Sequence, residues 1–205
     1  MAPIVSEQYK MKKKQQILDS ALICFANKGY QQATMDDIVQ HSGISKGAIY
    51  NYFKSKEEIY IELMNENTKI VDEDIKEGIR VHKTALEKVS YLFDLYLRNK
   101  PSESPEQEIF LVYYEFRLHA TRDEKLFNLL QERKKFIFIE NLVDILVEGQ
   151  KNGELRQDFN PEIMANTFWS MIHGATLSTI IDMDFPYHEV LENMKAMFIP
   201  YLKSN

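Results

Sequence analysis

The segment from Thr34 to Lys56, TMDDIVQHSGISKGAIYNYFKSK, constrains this chain more than any other stretch. Two short runs with helical spacing of apolar residues are separated by Ser42-Gly43, which leaves room only for a tight turn. Thr34 stands three residues before Asp37, close to a capping box, and Ser45 is placed to cap the second helix. Met35, Ile38 and Val39 on the first helix, Ile44 in the turn, and Ile49 and Phe53 on the second can close a small core. The pair predicts a helix-turn-helix. Ser45, Lys46, Gly47, Ala48, Tyr50, Asn51 and Tyr52 are left to be shared between packing and surface.

A helix that enters the major groove end-on needs residues at its start that are small, or long and polar. Gly47 and Ala48 permit close approach, Lys46 can reach a phosphate or a guanine edge, and the tyrosine hydroxyls can donate to phosphate oxygens. The positive helix start at Ser45 adds to the attraction for anions. For Tyr50 the alternative is partial packing against the first helix.

The remaining punctuation is helical. Seven Gly and six Pro in 205 residues are too few for the turns of a sandwich or barrel. Ile17, Ala21 and Phe25 give one apolar face to a first helix over 11–28, which Gly29 stops. Ser55 with Glu58 opens a long helix over 56–79. Further helices follow over 82–98, from Ser104-Pro105 to about 121, over 123–151, over 160–182 from Asn160-Pro161, and from 187 to about 202. The prediction is an all-α chain of nine helices in two domains. Residues 1–55 form a three-helix helix-turn-helix domain, and 56–205 a helical domain for ligand binding and dimerisation.

Charge is unevenly placed. The net charge is −6, yet residues 1–60 hold eight Lys and six Asp or Glu, while the rest hold 17 basic and 25 acidic residues. A basic head on an acidic body suits a DNA reader that touches phosphate at one end. There is no apolar run of about 18 residues and no signal-peptide pattern, so a cytoplasmic protein without a membrane span is expected. Cys24 is the one cysteine, which excludes an internal disulfide and a cysteine-rich zinc site; it falls among apolar neighbours, as a packed thiol does. No motif calls for a cofactor or a metal.

The stretch from Ile17 to Tyr60 resembles the N-terminal domain of the TetR family of bacterial regulators. ILDSALICFANKGY, the Thr that opens the second helix, and GISKGAIYNYFKSKEEI carry the resemblance, over about a fifth of the chain. It implies a ligand-responsive transcriptional regulator, a repressor that binds palindromic operator DNA as a homodimer and is released by a small hydrophobic or aromatic effector. Thr34 would meet the DNA backbone at the start of the second helix. Ser45, Lys46, Gly47, Tyr50, Asn51 and Tyr52 would lie on or near the duplex, and Lys56 would contact phosphate. Lys12, Lys13 and Lys14 form either an arm along the DNA or a solvated basic start.

The last two helices are the expected subunit contact. Phe168, Ile172, Ala175 and Thr179 make one stripe, and Val190, Met194, Met197 and Phe198 another. The resemblance implies a four-helix bundle between subunits; the alternative is that both stripes pack within one chain. The middle helices are rich in aromatic residues, among them Phe93, Phe116, Phe136 and Phe138. Tyr91, Phe110, Tyr113, Tyr114, Trp169 and His173 are the candidate lining of an effector pocket, unless they simply fill the core. Glu108 and Glu115 would favour a cationic effector if they pointed inward. An effector would act by tilting the long fourth helix and so changing the spacing of two DNA heads, which fit successive major grooves at about 34–36 Å.

Glu115 and His119 share a helix face, which leaves an acid–base or metal pair to be considered beside a solvated hydrogen bond. No phosphate loop, nucleophile elbow or HExxH accompanies them, so an enzyme is not expected.

Overall fold

Ser6, in extended backbone, accepts a hydrogen bond from the Tyr9 amide, so the first helix begins before its apolar face does: α1 spans Glu7–Lys28. The structure, a computed structural model, describes residues 6–98, 107–134 and 139–204, apart from the side chains at 67, 70, 71, 107–109 and 132–134. Among the described residues there are ten helices rather than the expected nine. The helix predicted over 123–151 is described in two parts, on either side of residues that lie outside the description. The Ser104-Pro105 helix start also lies outside it, as do Phe136 and Phe138.

The chain divides into two compact units. The first holds residues 1–69 and 108–119, and the second 70–107 and 120–205. This grouping differs from the expected division at 55/56. The helix that follows the helix-turn-helix has residues in both units, and a later helix packs with the N-terminal ones.

In the first unit, α1 buries Ile17, Leu18, Ala21, Cys24 and Phe25, one helical face. Gly29 ends it with φ +76°, and a Cβ there would stand 2.9 Å from a carboxylate oxygen of Glu115. The next helix, α2, is Met35–Ser42, and a full capping box between Thr34 and Asp37 starts it. Gly43, at φ +65°, stops it in the left-handed region, where an L side chain is strained. Ser45 then accepts from the Ala48 amide and opens α3, Lys46–Tyr52. Ser55 caps α4, Lys56–Val81, whose residues up to 69 belong to this unit. Ile38, Ile44, Ile49, Phe53, Ile59 and Tyr60 are buried, so the small core expected of the helix-turn-helix is present and α4 closes it. The last member is α6, Gln107–Ala120, whose Phe116 stacks on Tyr60 at 3.4 Å and meets Tyr30 edge-on at 4.7 Å.

The second unit is built on α5, Ala85–Leu97, α8, Glu140–Lys151, α9, Pro161–Ile181, and α10, Tyr187–Leu202, with α7, Glu124–Lys134, between α6 and α8 in the chain. Thr84 and Glu87 form a second capping box, which is why α5 starts at Ala85 rather than near His82. Val89, Leu92 and Phe93 from α5, Leu142 and Leu146 from α8, Phe168 and Ile172 from α9, and Leu191 and Phe198 from α10 share one core. Phe93, Phe168 and Phe198 meet edge to face, with ring centroids 4.8–5.8 Å apart. The end of the chain is tied down where Arg156 N donates to Leu202 O at 3.1 Å. Among the described residues no helix is long and apolar enough to cross a membrane.

Candidate nucleic-acid interface

The turn that separates α2 from α3 is fixed from three sides. Gly43 N donates to Val39 O, Ile44 N donates to the Ser42 hydroxyl, and Gln16 of α1 donates to Ser42 O at 2.8 Å. Ile49 is the one fully buried residue of α3, and Ile44 is buried in the turn before it. Ser45, Lys46, Gly47 and Asn51 are exposed, and Tyr50 and Tyr52 are half-buried. A Cβ added to Gly47 would meet nothing within 4 Å, so no packing inside the chain requires a glycine there. Thr34 is exposed at the start of α2, where its hydroxyl bonds Asp37 at 2.8 Å. Lys28 donates to Asp37 at 2.6 Å, and these bonds hold its carboxyl down at about 2.

The lysines of this unit are largely engaged within the protein. Lys46 pairs with Asp36 at 2.7 Å, and Lys54 donates to Tyr50 O at 2.6 Å. Lys12, Lys13 and Lys14 are inside α1 instead of forming an arm, because Ser6 starts the helix ahead of them. Lys14 pairs with Glu62, and Lys13 with Gln16.

Lys56, expected on phosphate, points its ammonium into the segment that links α1 to α2. It donates to the carbonyls of Tyr30, Gln31 and Ala33 at 2.8, 2.9 and 3.1 Å, and lies 4.6 Å from the centre of the Tyr30 ring. The same segment is held from α6. Glu115 accepts from Tyr30 N at 2.9 Å, and His119 bonds Gln31. The Tyr30 hydroxyl donates to Glu57 at 3.0 Å, and burial pushes that phenol far above its ordinary range. Glu115 and His119, read from sequence as an effector contact or an acid–base pair, are therefore occupied in holding the link to α2. Sequence reasoning missed Gln16, Tyr30, Asp36 and Glu57. The i, i+4 pairing on α6 was visible, but nothing local marks a partner 85 positions away.

The other predicted site residues are distributed over both units. Phe110, Tyr113 and Tyr114 are on α6, where Arg117 donates to the Tyr113 hydroxyl at 3.1 Å. Tyr91 lies against Gly78, so closely that a Cβ there would be 1.8 Å from the ring, and its hydroxyl donates to Asp74 O. Trp169 is buried beside Phe168 and Tyr96, with the His173 ring 6.0 Å away. The side chain of Glu108 lies outside the description.

The expected subunit stripe is mostly turned inward. Phe168, Ile172, Ala175, Thr179 and Phe198 are buried in the core of their own unit, while Met197 is 65% exposed and Val190 and Met194 are half-buried. Apolar spacing alone picked the core-facing side of α9. Its opposite side carries Ile163, Thr167, Ser170, Gly174, Leu177 and Ile181, all exposed, and a hollow of about 670 Å³ opens beside Ile163 and Ser170.

A seven-residue helix presenting small and polar side chains, set on a preceding helix by a tight turn, defines the helix-turn-helix class of DNA readers. A model of the family described as "Bacterial regulatory proteins, tetR family" matches residues 17–63. The transcriptional regulator QacR of Staphylococcus aureus is 32% identical over 145 residues, 70% of this chain and 74% of that one. The regulator YfiR of Bacillus subtilis is 28% identical over 85% of this chain and 83% of its own. The crystal structure of the transcriptional regulator FadR of Bacillus subtilis in complex with stearoyl-CoA superposes with a TM-score of 0.79 at 24% identity, covering 92% of this chain and 98% of that one. The chain belongs to the tetR family of bacterial regulatory proteins and is a transcriptional regulator.

Proposed function

We propose that this regulator is a homodimeric repressor that binds palindromic operator DNA in the cytoplasm and is released by a small hydrophobic or aromatic effector. One observation carries the DNA half of that reading: the start of α3 is exposed and bounded by open space at Gly47. Ser45 caps this short helix, and Lys46, Tyr50, Asn51 and Tyr52 lie on it. Thr34 stands at the start of α2, and Lys56 serves the reader by holding the α1–α2 link.

A lone helix-turn-helix reads about half a site, and a two-fold dimer reads a palindrome. The exposed side of α9 is suited to self-association. Its small residues Ser170 and Gly174 permit close approach, between the apolar Ile163, Leu177 and Ile181. Met197 and Tyr201 of α10 are exposed as well. For the effector, the second unit by itself offers the aromatic groups of Tyr91, Trp169 and His173, whereas Phe110, Tyr113 and Tyr114 are on α6 of the first unit. The complex of the Bacillus subtilis FadR with stearoyl-CoA, whose acyl chain is apolar though its CoA end is anionic, supports an effector with a hydrophobic part. Since α4 has residues in both units, it is the element through which effector binding reaches the reader. The effector must bind the released state more tightly than the DNA-bound one, or nothing shifts.

The test is fluorescence anisotropy on duplex DNA from upstream of the protein's own gene, at about 50 and 200 mM salt, beside sedimentation of Gly174→Arg. The wild type should sediment as a dimer and bind in a salt-weakened manner, with stearoyl-CoA as the first effector to add. Gly174→Arg should sediment as a folded monomer that has lost most operator binding. A variant that keeps the wild-type mass removes α9 as the subunit contact. A wild type that binds no duplex at low salt removes the DNA reading.

A further inference from the structure

Lys46 is the first residue of α3, and a cation at that end opposes the helix dipole. The first turn of α3 contains no acid to offset it, so helix stability does not explain the lysine. Its partner comes from the other helix. Asp36 of α2 lies 2.7 Å from the ammonium, and its side chain is 70% exposed at the surface where Lys46 is 58% exposed. The start of α2 does not depend on Asp36 for its cap, because Thr34 and Asp37 complete the capping box between them. The pairing with Asp36 raises the Lys46 pKa above its ordinary value.

We propose that Asp36 is a specificity-determining residue: its carboxylate holds Lys46 against indiscriminate phosphate contact, so that the lysine is released only on a matching site. This rests on the DNA-binding reading above. A phosphate that approaches Lys46 must displace a carboxylate and also meets its negative charge. On a random duplex, contacts are almost wholly to phosphate, so the penalty is felt in full. On the operator the freed Asp36 carboxylate can itself accept from a base-edge amino group, as on cytosine, so the penalty is not felt there. Asp36 therefore widens the gap between the two affinities by weakening the wrong one.

Asp36→Asn tests this beside Lys46→Ala and the double variant, on the upstream duplex and on a random-sequence duplex. Asp36→Asn should tighten random-duplex binding by about three- to fivefold at low salt, with a smaller change on the upstream duplex. Its salt dependence should steepen by about one phosphate contact. In the Lys46→Ala background Asp36→Asn relieves only the carboxylate's own repulsion, so the added phosphate contact, and with it the steeper salt slope, should be absent. A gain of affinity cannot come from loss of fold. Unchanged or weaker random-duplex binding by Asp36→Asn would overturn the proposal while leaving DNA binding intact. Absence of binding by the wild type to either duplex would overturn the underlying reading as well.

Discussion

The two units are held together by different physics. The second is an apolar core in which Phe93, Phe168 and Phe198 meet across three helices. The second also has a charged group on backbone, Glu154 accepting from Ala85 N at 2.6 Å, but in the first, with its smaller apolar core, such groups converge on one link. Lys56 gathers three carbonyls of the α1–α2 link, and Glu115 takes one amide of the same link. Apolar packing is non-directional and tolerates small shifts, whereas hydrogen bonds to backbone fix a position. A reader helix must be aimed, so directional bonds belong in the unit that carries it.

The largest effect expected of a single substitution falls in the second unit. Phe168 is fully buried and touches two other rings of the core as well as Trp169 at 5.0 Å. Phe168→Ala should cost about 3–5 kcal/mol through lost burial and the cavity left behind. Trp169 is the single tryptophan of the chain, so its fluorescence follows that unit during urea unfolding. The fluorescence midpoint should fall well below that of the wild type. If far-UV circular dichroism falls in step over its whole amplitude, the two units melt as one and the contrast drawn between them has no thermodynamic content.

A smaller effect, of a different kind, is expected at Lys56. Lys56→Met keeps much of the stem and removes the ammonium from three carbonyls, which should cost about 2 kcal/mol. Operator affinity should weaken because the link that leads into Thr34 loosens, while its salt dependence keeps the wild-type slope. The expectation drawn from sequence makes the opposite pair of predictions. A lysine that contacts phosphate would leave stability nearly unchanged and lower the slope by about one. Urea unfolding and anisotropy at several salt concentrations separate the two.

That contrast also explains what could be read from the sequence. The all-helical class, the starts of α2, α3, α4 and α9, and the turn at Gly43 follow from local rules, since a cap and its partner lie three residues apart. The exposed residues of α3 were legible for the same reason: a short helix with Gly47 and Ala48 at its start has few ways to pack. The far-reaching contacts were not. The role of Glu115 depends on Tyr30, and that of Lys56 on carbonyls 23–26 residues earlier, and no periodicity records such pairs. On α9 both sides look apolar, so spacing could not tell the core side, with Phe168 and Ile172, from the exposed side, with Leu177 and Ile181.

The smallest effect on stability is the one that separates aim from strength most cleanly. Gly47 sits in the first turn of α3, and an added Cβ would have open space around it. Within the protein, alanine is the better helix residue, by about 0.5 kcal/mol or slightly more. Gly47→Ala should therefore leave urea stability unchanged or raise it. If α3 approaches the duplex end-on, the same methyl group enters the space that the DNA must occupy, and operator affinity should fall by about tenfold. The two measurements then move in opposite directions, which no folding defect can produce. A variant that is more stable and binds equally well would mean that α3 stands off from the duplex. Contact would then have to come from the longer side chains of Lys46, Tyr50 and Asn51, and the glycine would have no part in recognition.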